Sequence, residues 1–229
     1  MTHNDLATLR HHLIQVNPNG LHLYPALFQP MGSSIQRLPV GTDLGPILNY
    51  LRTATTVEES LARIARMYLW LMPRNILRPW RMYHLGSRAY LNIHCPTLFH
   101  KIEVALNLSH CTVAAMAWNT LFGVFYACFL IRGPEPCCME HEVMCLALWS
   151  GLPLLAFRVT GFMTEEYFSA ILKATGICSD FCLLNGIYEN LDDVFNAERE
   201  RAPKLPISLA YGNTRDEPKE YALSSRPAA

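Results

Sequence analysis

Cys138, His141 and Cys145 stand at positions i, i+3 and i+7. On an α-helix that spacing puts all three side chains on one face. Soft and borderline ligands gathered this way offer one chemistry above others, the binding of zinc. A fourth ligand would come from Cys137, from Cys178 and Cys182, or from His94 and Cys95. Structural zinc needs four donors in a tetrahedron, usually set by a short C-x2-C knuckle. No such knuckle is present, and one helix face cannot supply the whole shell. Free cysteine otherwise behaves as a small apolar residue, among the most buried of all types. The expectation is that these cysteines pack a core and that no metal is held. Cys138→Ser and Cys145→Ser should then cost modest stability. A small zinc-stabilised, nucleic-acid-associated protein is the alternative.

Acid–base chemistry finds less support. Glu140, His141 and Glu142 are consecutive, and consecutive helical residues point in different directions. The chain has no G-x-S-x-G elbow, no H-E-x-x-H, no P-loop and no G-x-G-x-x-G turn. The sequence predicts no catalytic residue, no cofactor and no enzyme.

Binding chemistry is better represented. From Ser60 to Ile102 the chain carries Arg63, Arg66, Arg74, Arg78, Arg81, Arg88 and Lys101 and no acidic residue. From Glu135 to Glu200 it is acidic, with Arg158, Lys173 and Arg199 as the only Lys or Arg. Arg74, Arg78, Arg81 and Arg88 are interleaved with Trp80, Tyr83, His84 and Tyr90. Arginine beside aromatic rings suits phosphate contact and stacking, and it suits an acidic protein face equally. The formal net charge is zero, whereas non-specific nucleic-acid binders are usually basic. Arg74, Arg78, Trp80, Arg81 and Arg88 are therefore the candidate partner-binding residues. Protein partners in a multi-subunit complex are expected, with nucleic acid reached only indirectly. Pro79 argues against a continuous helix here and for an irregular, exposed segment. Joint reversal of Arg74, Arg78 and Arg81 to Glu should then leave the thermal midpoint nearly unchanged and abolish partner recovery. The intramolecular alternative has these arginines rim the core and pair with Glu189, Asp192 and Asp193.

The elements that must position these residues are read from apolar patterning. Thr112 to Ile131 contains no charged residue and ends at Arg132-Gly133-Pro134, a helix stop. A helix apolar all round is buried in protein or lies in lipid, and this run is near the ~20 residues that a membrane span requires. Asn119, Thr120, Gly123 and Cys128 make it less apolar than a dedicated span. The expectation is a central buried helix, with Phe122 inside it. Thr56, with Glu59 three residues on, forms a capping box for an amphipathic helix ending at Pro73. Asp5 starts a helix that runs to about Val16, Pro96 one that reaches Leu106, and Thr164 one closed by Gly176. Further helices are predicted over Glu135–Trp149 and from Ser179 onward. No alternating stretch is long enough to argue a sheet.

These elements predict an all-α protein. One helical domain, residues 1–202, wraps the apolar central helix, and a polar, disordered tail follows over 203–229. With 229 residues, 51% hydrophobic and 17% charged, the chain can bury a substantial core. The competing reading is a membrane-embedded helical protein with residues 112–131 as the span. The N-terminus lacks the apolar stretch of a signal peptide, and eight cysteines without one suggest a reducing compartment. A nuclear or cytoplasmic location is expected.

Three segments, HLYPALF at His22–Phe28, LARIARMYLWL at Leu61–Leu71 and LALWSGLP at Leu146–Pro153, give the chain a resemblance to a known family. It resembles the late-gene-expression regulators of beta- and gammaherpesviruses, non-enzymatic members of a viral pre-initiation assembly. The resemblance implies a viral adaptor in the host nucleus, acting in transcription regulation by bringing viral proteins and RNA polymerase II together at late promoters. It assigns no role to any residue.

Overall fold

The computed structural model describes residues 3–16, 44–85, 95–108, 111–132, 141–150, 152–160, 164–175 and 183–201. Three helices come first: α1 (His3–Ile14), α2 (Gly45–Arg52) and α3 (Val57–Leu71), the last continued by a 3-10 turn at Met72–Arg74. Then follow β1 (Trp80–His84), α4 (Cys95–Leu108), β2 (Thr112–Leu121), β3 (Val124–Arg132), β4 (Glu142–Trp149) and β5 (Leu154–Val159). The last elements are α5 (Thr164–Thr175), β6 (Leu183–Tyr188) and α6 (Leu191–Arg201). The chain divides into two compact units, Met1–Val194 and Phe195–Ala229.

The six strands form one antiparallel sheet in the order β2-β3-β4-β5-β1-β6. The protein is thus mixed α/β, and the expected all-α fold is overturned. Strands β2 to β5 are a simple meander, while β1, first in sequence, is inserted between β5 and β6.

The predicted central helix is the hairpin β2–β3. Its two-residue turn is Phe122-Gly123, with φ of 51° and 75°. Two successive positive φ values match the twist of paired strands and make the tightest hairpin connection. Nothing within 4 Å would crowd a Cβ on Gly123, so the glycine serves the backbone rather than packing. Phe122 lies at the tip and is 94% exposed, the reverse of its predicted burial. Among the described residues no helix is long and apolar enough to cross a membrane, and the predicted span is two strands. The helix predicted over Glu135–Trp149 is likewise replaced, within its described part, by β4.

Why these runs look helical follows from the layering. Helices α1, α2 and α3 cover one face of the sheet, where they enclose Met82, Val124, Cys128, Val143, Cys145, Trp149 and Ala156. Helices α4 and α5 cover the other, over Ala127, Phe129, Ile131, Met144, Leu146, Leu148 and Phe157. Successive residues of β3 and β4 therefore enter opposite cores, and both must be apolar. A strand buried on both faces loses the alternation that marks a strand in sequence.

Where one face meets solvent, the helical pattern is plain. Thr56 caps α3, its hydroxyl accepting from the Glu59 backbone N–H at 3.1 Å. The reciprocal bond of the capping box is displaced by one residue. Glu59 accepts from the Thr55 backbone at 2.8 Å and from the Thr55 hydroxyl at 2.9 Å. These bonds, the Thr55 backbone N–H first and Arg63 next, hold the Glu59 carboxyl down at about 2. Leu61, Ile64, Ala65, Tyr68 and Leu71 form the buried stripe.

Candidate interaction surface

The five candidate partner-binding residues part company in the structure. Trp80 is fully buried at the start of β1, its indole N–H donating to the Leu77 carbonyl at 2.7 Å. Arg74 is half-buried. Its guanidinium lies 3.9 Å from the centroid of the Trp70 ring and donates to the Trp70 carbonyl at 2.6 Å. Burial lowers its pKa from the ordinary arginine value. Stacking and hydrogen bonding within one helical turn make Arg74 a clasp for the end of α3. Arg78 and Arg81 are exposed. Arg78 faces Glu189 at 3.9 Å, both side chains largely in solvent, and such a pair adds little. Arg88 lies outside the described residues.

The predicted intramolecular acids divide as well. Asp192 accepts from the Asn75 amide at 2.5 Å, and the Asn75 side-chain oxygen takes the Leu191 N–H at 3.2 Å. Asn75 itself has φ 57°, the left-handed conformation that asparagine tolerates best after glycine. Asp193 accepts from Asn190 at the start of α6.

The helical face proposed for zinc is not formed by its described members. His141 precedes β4 and Cys145 lies within it, so the helical face they were to share is absent, and Cys137, Cys138, His94, Cys178 and Cys182 lie outside the described residues. Among the described residues no group of three His, Cys, Asp or Glu side chains can hold a metal ion. His141 instead meets Asp5 of α1. Its backbone N–H donates to one carboxylate oxygen at 3.3 Å, and Nδ1 lies 3.2 Å from the other. The Asp5 carboxylate thus pairs with a residue far along the chain, whereas it was expected to cap α1.

A surface that the basic belt did not indicate is more completely formed. Strand β2 has a single sheet neighbour, β3, among the described residues. It is ten residues long and reads TVAAMAWNTL, with no charge and no proline. Proteins usually blunt a sheet edge with lysine, proline or a very short strand. Here the one irregularity is a register shift between Val113 and Ala115. Trp118 is 42% exposed, with its ring 5.6 Å from that of Phe99. Beside the edge runs a groove of about 500 Å³, walled by Arg66, Leu69, Trp70 and Pro73 on one side and by β2 on the other. Phe122 caps the end of the strand.

Two signals for this surface were in the sequence: tryptophan in an otherwise small-residue strand, and Phe-Gly where a turn favours Asn-Gly. No protein-family model matches the chain, and no curated protein matches it in sequence.

Proposed function

We propose that the protein is a non-enzymatic interaction module, a regulatory subunit that accepts an extended segment of a partner along the edge of β2 that is unpaired among the described residues. The observation that carries this reading is the uncharged ten-residue edge strand ending in an exposed Phe122. Strand addition draws affinity from main-chain hydrogen bonds and specificity from side-chain pockets. The groove between α3 and β2 supplies such a pocket, and Trp118 and Phe122 are aromatic anchors of the kind that dominate interfaces. Arg66 is the one charged residue lining the groove among the described residues, which favours a partner segment with an acidic residue among apolar ones. The resemblance of three segments to herpesvirus late-gene regulators supports a partner within a viral late-transcription assembly.

Affinity purification from infected or transfected cells, with mass spectrometry, tests the reading. Trp118→Lys and Phe122→Asn are each expected to lose the partners that the wild type recovers while keeping its thermal midpoint or exceeding it. Full recovery by a folded Trp118→Lys protein would remove β2 from consideration. Loss instead with Arg78→Glu and Arg81→Glu would move the interface to the basic residues near β1.

A further inference from the structure

The α1–α3 face of the sheet holds a row of side chains that is polar where its surroundings are apolar. Antiparallel register places Cys128 of β3 directly opposite Cys145 of β4, and Cys145 directly opposite Arg158 of β5. Neighbours related in this way have Cβ atoms about 5 Å apart on one face. Both cysteines are fully buried and reduced, and Arg158 is 9% exposed.

Arg158 is the feature that demands explanation. Its Nε donates to the Arg78 carbonyl at 3.1 Å, while Nη1 is buried without a hydrogen-bond partner. Among the described residues no carboxylate lies within ion-pairing distance of it. Guanidinium keeps its proton under all ordinary conditions, and an uncompensated buried charge is strongly disfavoured. The acidic group across the strand from it is the Cys145 thiol. The Cys128 thiol and then Arg158 act to lower the pKa of Cys145 against the burial that raises it, whereas burial first and Cys145 second push Cys128 up. Cys145, directly opposite both the second thiol and the guanidinium, is the sulfur that the register places as nucleophile, with Cys128 as its partner.

Both sulfurs lie beneath the surface, so a small hydroperoxide reaches them through local opening of the chain. A surface pocket of about 500 Å³ is lined by His11, His12, Gln15, Ile76 and Arg78. Arg78 is the residue whose carbonyl holds Arg158. The His12 imidazole is held down to about 4 by burial, then by the charge of Arg158, then by His11, so it stays neutral and places no second cation beside the row.

We propose that Cys145 and Cys128 form an oxidisable dithiol site, in which Cys145 reacts with a small hydroperoxide and Cys128 closes a cross-strand disulfide with it. The Cys145 thiolate attacks one peroxide oxygen and the O–O bond breaks. The departing alkoxide or hydroxide takes a proton from water, leaving sulfenic acid on Cys145. The Cys128 sulfur then attacks the Cys145 sulfur, the S–O bond breaks, and water leaves with the Cys128 proton. In sum two thiols and one hydroperoxide give one disulfide, one alcohol (or water) and one water. Each sulfur gives up one electron, and the peroxide takes both. Directly opposed strand residues have Cα atoms about 4.5–5.5 Å apart, inside the range that a disulfide spans, so closure requires no change of register.

The test uses the full chain, reduced and folded, with hydrogen peroxide as the probe and non-reducing peptide mapping as the readout. The wild type should lose two hydrogens and yield a Cys128-peptide linked to the Cys145-peptide. Cys128→Ser should stop at sulfenic acid, trapped by dimedone on Cys145. Arg158→Gln should slow the oxidation about tenfold or more through a smaller thiolate fraction. The wild-type map needs no variant to fold and decides the matter alone. Linkage of Cys128 to Cys145 supports the site. Oxidation confined to other cysteines, with these two still reduced in folded protein, overturns it.

Discussion

Arg74 and Arg81 are a few residues apart and identical in chemistry, yet their surroundings give them different work. The guanidinium of Arg74 lies over the Trp70 ring and donates to the carbonyl of the same residue. A desolvated cation–π contact and a charge-assisted hydrogen bond together are worth about 2 kcal/mol. Arg74→Ala should therefore lower stability by about 2 kcal/mol in urea denaturation. Arg81→Ala, on the exposed side of β1, should stay within ~0.5 kcal/mol. Joint reversal of Arg74, Arg78 and Arg81 is then no clean test of binding, because the first substitution destabilises the fold on which the other two are displayed. His12 gives a second measurement at this scale. In the unfolded chain its imidazole takes up a proton near pH 6.5, whereas the folded protein resists protonation until about 4, chiefly through burial and then the charge of Arg158. The unfolded state binds more protons throughout that window, so stability is full above pH 6.5 and falls as pH drops toward 4. His12→Gln should flatten this part of the curve of denaturation midpoint against pH.

The hairpin β2–β3 is the element on which the functional reading rests, and its turn conflicts with local preference. Phe122 adopts a left-handed conformation at φ 51°, which disfavours a bulky L-residue by about 1 kcal/mol. It is almost wholly exposed, so no contact within the described chain offsets the cost. Phe122→Asn should raise stability by ~0.5–1 kcal/mol, read as a higher thermal midpoint. Gly123→Ala should lower it by about 1 kcal/mol, since φ 75° suits glycine alone and its Cβ would gain no contact. An aromatic side chain kept where asparagine would be more stable is accounted for if the tip meets a partner. Helix α3 presents the opposite case. Cap, buried stripe and C-terminal proline all agree with the local sequence, and the helix forms where it was predicted.

At the scale of the whole molecule the fold depends on ties between distant parts of the chain. Asp5 and His141 bring α1 to the start of β4 through two hydrogen bonds, with 7% and 2% of their side chains exposed. Removing the carboxylate leaves a buried backbone N–H and a ring nitrogen without their acceptor, at a cost of about 3 kcal/mol. Asp5→Ala should lower the denaturation midpoint accordingly. Because α1 packs on the sheet face that carries Cys145, the same variant should speed thiol labelling of the folded protein by at least ~10-fold.

The amino-acid sequence alone determined the elements whose apolar residues lie on one side. α3 is specified by Thr56, Pro73 and its buried stripe, α4 by Phe99, Ile102 and Leu106, and α5 by its start at Thr164. In each, one face meets solvent, so the helical period is written in the residues themselves. It also marked the basic residues, though not which of them solvent would reach. The sheet was decided only by tertiary structure. Val124–Ile131 and Val143–Trp149 are apolar at successive positions because helices cover both faces, and this removes the alternation by which a strand is read. The same layering separated Trp80 from Arg81, sending one into the core and the other to solvent. Register then aligned Cys128, Cys145 and Arg158 across three strands, an order that no spacing along the chain contains.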